Sequence, residues 1–220
     1  MANPLVGVRV LDACNFVFGP VATQILGDMG ADVIKIEPPE GDPMRLIGAA
    51  KHPKMASFFL NLNRNKRSVV LDLKTEYGLA TFKKLLETAD VFVHNMRPEA
   101  AKRLGIDYEA ISALNPRLVY AVALGFHPAG QYASRPAYDD VIQGLSGLAG
   151  LNARMGGEPQ FMPMLFADKL CGVYLSTAIS MALFQRERTG LGQQVQVPMF
   201  ETVASFNLID HLPSLLKASG

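Results

Sequence analysis

The 220-residue chain has only two cysteines, Cys14 and Cys171, without the CxxC spacing of a redox or metal knuckle. Nothing at its N-terminus resembles a basic n-region followed by an apolar h-region and a cleavage site, so the expected compartment is a reducing cytoplasm. An excess of one charge is also missing. With 21 basic against 20 acidic residues the net charge is +1, which removes the global electrostatic case for a nucleic-acid or membrane partner; any anion site must be local. No apolar run reaches the roughly 20 residues needed to span a bilayer. The longest, residues 170–184, contains Ser176, Thr177 and Ser180 and is expected to be a buried core helix. No internal repeat or low-complexity segment is evident, and no His/Cys/carboxylate spacing suggests a metal. What is present, 49% hydrophobic and 19% charged residues, suits a soluble globular protein of one large or two modest domains.

The pattern begins with a β-branched strand over residues 6–12, a helix over 21–29 and a second strand, Val33-Ile34-Lys35-Ile36-Glu37, stopped by Pro38-Pro39. Residues 38–68 are expected to be irregular, and so long a connection is usually functional. A strand over 68–73, a helix over 76–88, a short buried strand over 90–95, helices up to Gly105 and over 108–114, and a strand over 117–124 follow. Strands alternating with helices predict an α/β, Rossmann-like doubly wound fold, with a mainly parallel sheet and helices on both faces. A helix over 137–143 running into 144–150, the core helix, a strand over 195–197 and a helix opening at Met199 complete the chain.

In such sheets ligands bind beyond the carboxyl ends of the strands. Here those ends carry residues 15–18, 38–45, Lys74, 94–97 and 125–127, where polar and basic side chains converge. The dinucleotide reading lacks its phosphate cradle, because residues 15–20 read Asn-Phe-Val-Phe-Gly-Pro in place of GxGxxG. Arg45, Arg64, Lys66, Arg67 and Lys74 either hold a multiply anionic ligand or form a solvated basic loop. His94 and His127 are expected to make structural hydrogen bonds. Asp168 follows an apolar run and precedes the core helix, an N-cap position facing unpaired N–H groups and the positive end of the helix dipole, which would hold the carboxylate ionised and fixed. It is either a cap or a carboxylate nucleophile.

Taken together, these segments resemble the class III CoA-transferases, the family of formyl-CoA, carnitine and bile-acid CoA-transferases with the α-methylacyl-CoA racemases as relatives. The matching blocks are residues 7–12, 30–37, Gly41-Asp42, 63–68, 71–74, Ala89-Asp90-Val91 with Asn95 and Arg97-Pro98, 114–118, Tyr138-Asp139, Asp168 with Gly172, and 188–193. The resemblance runs from residue 5 to about residue 205, the N-terminal half to two-thirds of the family's length. It implies a large Rossmann-like domain over 1–205 and the start of a linker helix over 206–220, with the family's second domain and the glycine-rich loop over the active-site aspartate outside this chain.

The resemblance also implies a ping-pong transfer of CoA from an acyl-CoA thioester to a carboxylic acid. Asp168 would be the nucleophile, passing through a mixed anhydride and an aspartyl-CoA thioester. Coenzyme A or its acyl thioester enters as substrate, and no cofactor is permanently bound. Phe16, Lys74, Asn95, Met96 and Arg103 match positions that contact CoA in the family. Pro38 stands where some transferases have an arginine, which shifts phosphate contacts to Arg45 or Arg135. Val17 stands where formyl-CoA transferases have a glutamine, and Tyr138 where racemases have the histidine of a His-Asp pair. The expected site is therefore Asp168 with Phe16, Val17, Arg45, Lys74, Asn95, Met96, Arg103, Arg135 and Tyr138. Racemisation needs a base on each side of the carbon, and a phenol with an ordinary pKa of about 10 is a poor one, which favours the transferase. The partners implied are an acyl-CoA, a carboxylic acid and, for a full-length chain, an interlocked second copy. A truncated CoA-binding protein without catalysis is the remaining alternative.

Overall fold

The computed structural model describes residues 3–154 and 156–218. In chain order the elements are β1 (Arg9–Ala13), α1 (Phe18–Asp28), β2 (Asp32–Glu37), α2 (Ser57–Leu62), β3 (Lys66–Val70), α3 (Glu76–Glu87), β4 (Val91–His94), α4 (Pro98–Leu104), α5 (Tyr108–Leu114), β5 (Val119–Leu124), α6 (Asp139–Leu145), α7 (Leu148–Ala153), α8 (Phe166–Thr189), β6 (Gln194–Pro198) and α9 (Met199–Ala218). The strands form a six-stranded sheet in the order β3-β2-β1-β4-β5-β6. Pairing is parallel from β3 through β5, with Leu11 opposite both Ile34 and Phe92. This is the doubly wound order, and its direction reverses between β1 and β4. By the right-handed crossover rule, the two sides of that reversal place their helices on opposite faces; α1 touches α2, and α3 touches α5.

The chain divides into two compact units: residues 1–123 with 172–196, and residues 124–171 with 197–220. In the first, β4 and β5 are largely apolar runs with no exposed face. Every residue of β4 and β5 is buried, as a parallel sheet covered on both sides requires. Phe82 of α3 meets Phe92 of β4 edge to face at 5.2 Å. Close approaches depend on two glycines. A side chain at Gly19 would overlap the Cys14 side chain, and one at Gly172 of α8 would come within 2.6 Å of Val21 on α1.

Charge is buried here as well. Asp12 of β1 and Lys35 of β2 have almost no exposed surface. Lys66 Nζ lies 2.9 Å from Asp12 Oδ2, and Lys35 Nζ lies 2.8 Å from Asp42. The Asp12 carboxylate also accepts from Thr23 Oγ1 at 2.6 Å, and Lys66 donates to the Pro20 carbonyl and to Asn63 Oδ1. Burial opposes ionisation of Asp12, but the two lysines outweigh it and hold its carboxyl far below the usual range. Glu37, ending β2, receives Nε and one terminal nitrogen of Arg45, each at 2.7 Å, together with Ser68 Oγ and the Asp42 N–H.

The structure corrects several expectations. Residues 38–68 are not wholly irregular, since a 3-10 turn over Pro43–Leu46 and the helix α2 occupy part of them. The strand expected over 68–73 is Lys66–Val70, two to three residues earlier, because Lys66 reaches inward as a sheet residue. The helix expected over 21–29 begins at Phe18, with Pro20 in its first turn, where a missing N–H costs nothing. Helix α9 spans Met199–Ala218, and residues 219–220 of the expected linker helix lie outside the described residues. Among the described residues, no helix is long and apolar enough to cross a membrane.

The Glu37 cluster gives a pH test. Burial disfavours its charged form, yet the hydrogen bonds from Arg45 and Ser68 prevail and hold its pKa at about 2. A depressed folded value contributes stability above the unfolded pKa of about 4.3, and that contribution is lost as pH falls through the folded value. Urea unfolding of the wild type is expected to weaken between pH about 4.5 and 2, by on the order of 2–3 kcal/mol from this group. Glu37→Gln should be less stable at pH 7 and lack that part of the slope; equal slopes for both proteins would refute the assignment.

Candidate active site

Helix α8 starts at Phe166, which puts Asp168 third in the helix and not at its cap. The apolar Leu165 and Phe166, which read as the run before a cap, lead into the first turn themselves. The Asp168 backbone N–H, without a helical partner in this position, donates to Asp139 Oδ1 at 2.9 Å. Asp139 is the first residue of α6 and is buried. Its other oxygen accepts from Gln143 Nε2, one helical turn on, at 2.5 Å. Gln143 Oε1 in turn accepts from the Met162 N–H at 2.8 Å, and its Nε2 also donates to the Met164 carbonyl. Asp139 and Gln143 thus moor the segment that delivers the chain to Asp168.

No hydrogen bond among the described residues reaches the Asp168 carboxyl. Burial, and after it the charge of Asp139, pushes its pKa up to about 7. The helix N-terminus was expected to keep this group ionised, but partial burial beside a second carboxylate outweighs the dipole, which contributes about 2 kcal/mol at most in a partly buried position. Cys171, one turn further along, is buried, and desolvation followed by the charges of Asp168 and Asp139 keeps it a thiol. The other residues expected in this unit are exposed: Arg135, and Tyr138, which precedes α6 and is 60% accessible. His127 belongs to the loop after β5, where its N–H meets Glu201 Oε1 at 3.1 Å.

In the first unit the parallel register sets the ends of β1 to β4 on one edge. The Asn15 N–H donates to Asn95 Oδ1 at 3.1 Å, and Asn95 Nδ2 donates to the Asn15 carbonyl at 2.9 Å, so the structure joins the loops after β1 and β4. Phe16 stands half-exposed with φ at 68°, a left-handed conformation uncommon for an aromatic residue. Met96, next to Asn95 in sequence, is partly buried, and Lys74 and Arg103 are exposed, the latter in the last turn of α4. Val17 has its side chain in the core, which leaves only its backbone for a ligand.

The expected basic cluster is largely consumed. Arg45 spends two nitrogens on Glu37 and lies over the Phe59 ring at 3.7 Å, a structural partner where a phosphate was expected. Arg64 pairs with Asp28 and Arg67 with Asp32, both at 2.6 Å, and Lys66 is buried against Asp12. Arg64, Lys66 and Arg67 also lie at the start of β3, the edge opposite Lys74. His94 is structural as expected: burial lowers its pKa to about 4, Nε2 bonds to the Tyr120 hydroxyl at 2.7 Å, and Nδ1 accepts the Met96 N–H.

Residues 5–215 match the sequence profile of CoA-transferase family III. The chain belongs to that family. It is 40% identical over 220 residues to the acetyl-CoA:oxalate CoA-transferase of Acetobacter aceti, covering 99% of this chain and 56% of that protein. It is 38% identical over 205 residues to the succinate–glutarate CoA-transferase of Agrobacterium fabrum (strain C58), covering 90% and 51%. The crystal structure of a CAIB/BAIF family protein from Brucella suis superposes with a TM-score of 0.92 at 36% identity, over 100% of this chain and 59% of that one. The chain spans about half the length of the curated relatives it matches.

The arrangement missed by sequence reasoning is the Asp139–Gln143 mooring. Its signal was an acid and an amide at i, i+4 on one short helix, beside the Tyr138-Asp139 motif already singled out. The coupling is measurable. In Asp139→Asn the oxygen facing the Asp168 N–H can remain while the charge is gone. The Asp168 pKa is then expected to drop below about 7 yet stay above the usual carboxylate range, since burial remains, as read by carboxyl-carbon NMR titration. No change would mean that Asp139 does not set it.

Proposed function

We propose that the protein is a CoA-transferase in which Asp168 carries the transferred groups. The observation that bears most on this is a carboxyl free of hydrogen bonds among the described residues, fixed through its own backbone to a buried aspartate at the start of a helix. The Asp168 carboxylate attacks the carbonyl carbon of an acyl-CoA, the C–S bond breaks, and CoA leaves as thiolate, giving a mixed anhydride. The thiolate then attacks the aspartyl carbonyl, expelling the donor as its carboxylate and forming an aspartyl-CoA thioester. An acceptor carboxylate opens that thioester to a second anhydride, and the thiolate attacks its acceptor carbonyl, freeing Asp168 and the new acyl-CoA. Every step exchanges one anion for another, so no proton has to move. A neutral His94, a protonated Cys171 and an Asp139 engaged in structural hydrogen bonds are compatible with such chemistry. Fixing the carboxylate on a helix turn lowers the entropic part of the barrier.

Coenzyme A would be taken by the carboxyl edge of the first unit, through Phe16, Met96, Lys74 and Arg103, the two exposed cations serving its phosphates. By extension from the named activities of the relatives, the donors are short acyl-CoA thioesters and the acceptors dicarboxylates. Two buried free cysteines suit a reducing cytoplasm.

Incubation with acetyl-CoA or succinyl-CoA, a hydroxylamine quench and peptide mass analysis is expected to show a hydroxamate on Asp168 in the wild type and none in Asp168→Asn. Because the ionised acid attacks and its pKa is about 7, the rate of adduct formation should rise with pH through 7 and fall about tenfold per unit well below it. Wild-type protein that forms no adduct with either thioester would overturn the reading.

A further inference from the structure

The loop leaving β1 has no regular structure to satisfy its backbone, yet four successive polar groups are all held by side chains. The Cys14 N–H donates to Asp12 Oδ1 at 2.9 Å, and the Cys14 carbonyl accepts from buried Lys35 Nζ at 2.7 Å. The Asn15 N–H and carbonyl are both taken by the Asn95 carboxamide, 80 residues away in sequence. Beyond this pinned stretch the next residue, Phe16, turns left-handed at φ 68° with its side chain 45% exposed, and Val17 immediately re-enters the core. A phenylalanine abandons that conformation unless its neighbours hold it.

Asn95 is itself oriented. It follows β4 on a turn in which His94 Nδ1 accepts the Met96 N–H at 3.2 Å. The other ring nitrogen bonds to the Tyr120 hydroxyl, which donates to the Ile106 carbonyl at 2.9 Å. The carboxamide therefore has one donor and one acceptor committed to the opposite loop, across the β1/β4 reversal where ligands of doubly wound sheets bind.

We propose that Asn95 is a positioning residue. Its side chain acts on the Asn15 backbone in place of the ligand, and holds Phe16 left-handed so that the aromatic ring is presented at the carboxyl edge as a preformed contact for coenzyme A. This rests on the coenzyme A reading above. The clamp works by cutting the ordering cost of binding, since the loop need not be organised when the ligand arrives.

Two measurements test it. In Asn95→Ala, hydrogen exchange at the Asn15 amide should accelerate at least about tenfold while Leu11 in β1 stays protected. Free coenzyme A titrated calorimetrically into Phe16→Ala and Asn95→Ala should bind about three- to tenfold more weakly than to wild type, and the double variant no more weakly than Phe16→Ala alone. Asn95→Asp, which keeps the acceptor for the Asn15 N–H, should fall between Asn95→Ala and wild type, and serves if the alanine variant does not fold. Unchanged affinity in a folded Asn95 variant, multiplicative losses in the double variant, or unchanged Asn15 exchange would each overturn the assignment while leaving the coenzyme A reading intact. Failure of wild type to bind coenzyme A would instead bring down that reading, and this assignment with it.

Discussion

Two ammonium groups buried within a parallel sheet are the constraint around which the first unit is built. Lys35 and Lys66 are tenable there only because Asp42 and Asp12 lie within 2.9 Å of them and because further protons go to the Cys14 carbonyl from Lys35 and to the Pro20 carbonyl and Asn63 Oδ1 from Lys66. Replacing such a pair by apolar residues need not cost stability, but removing one member leaves a naked buried charge and costs about 3–5 kcal/mol. The network is therefore a poor source of net stability and a strict source of geometry. It ties β1, β2, β3, the start of α1 and the turn at Asp42 to one another by side chains with little freedom to exchange partners.

That geometry ends at the β1 loop. Asp12 and Lys35, which anchor the network, are the same residues that hold the two polar groups of Cys14. The rigidity of the buried charges is thus passed directly to the chain that carries Phe16. Where a Gly-rich loop would offer successive backbone N–H groups to a phosphate, this loop has the N–H groups of Cys14 and Asn15 already occupied and carries an exposed aromatic side chain. The absent fingerprint between β1 and α1 thereby becomes intelligible: the proposed coenzyme A site does without the dinucleotide cradle and takes its cations from Lys74, after β3, and Arg103, in the last turn of α4.

Much of the fold was legible because burial on both faces writes itself as continuous apolar runs, as at Phe92 and Val119 to Leu124. The doubly wound order followed from alternating strands and helices. Helix α2 was not legible, since six residues flanked by Lys54 and Arg64 give too short a period to tell from a loop. Nor could the sequence show that Arg45 faces Glu37 or that Asn95 reaches Asn15, because such pairs are fixed by the tertiary fold and leave no local pattern. The placement of Asp168 failed by three residues for a related reason: apolar residues before a polar one look alike whether they precede a helix or form its first turn. The chemical candidate itself was legible, as an acid at the mouth of a long apolar helix.

The direction of the Asp168 shift bears on why an aspartate suits the proposed reaction. An ordinary carboxylate near pKa 3.9 attacking a thioester would displace a thiolate whose acid has a pKa of about 8.5, a mismatch of more than four units that favours return to substrate. Raising Asp168 to about 7 narrows that gap. It brings the anhydride and the thioester closer in free energy, and it makes the ionised oxygen a stronger nucleophile, because nucleophilicity rises with basicity. The cost is that near neutral pH part of the protein holds the protonated acid, which cannot attack. Burial beside Asp139 therefore sets a compromise between the amount of nucleophile and its strength, and a pKa near ambient pH is where the product of the two is greatest.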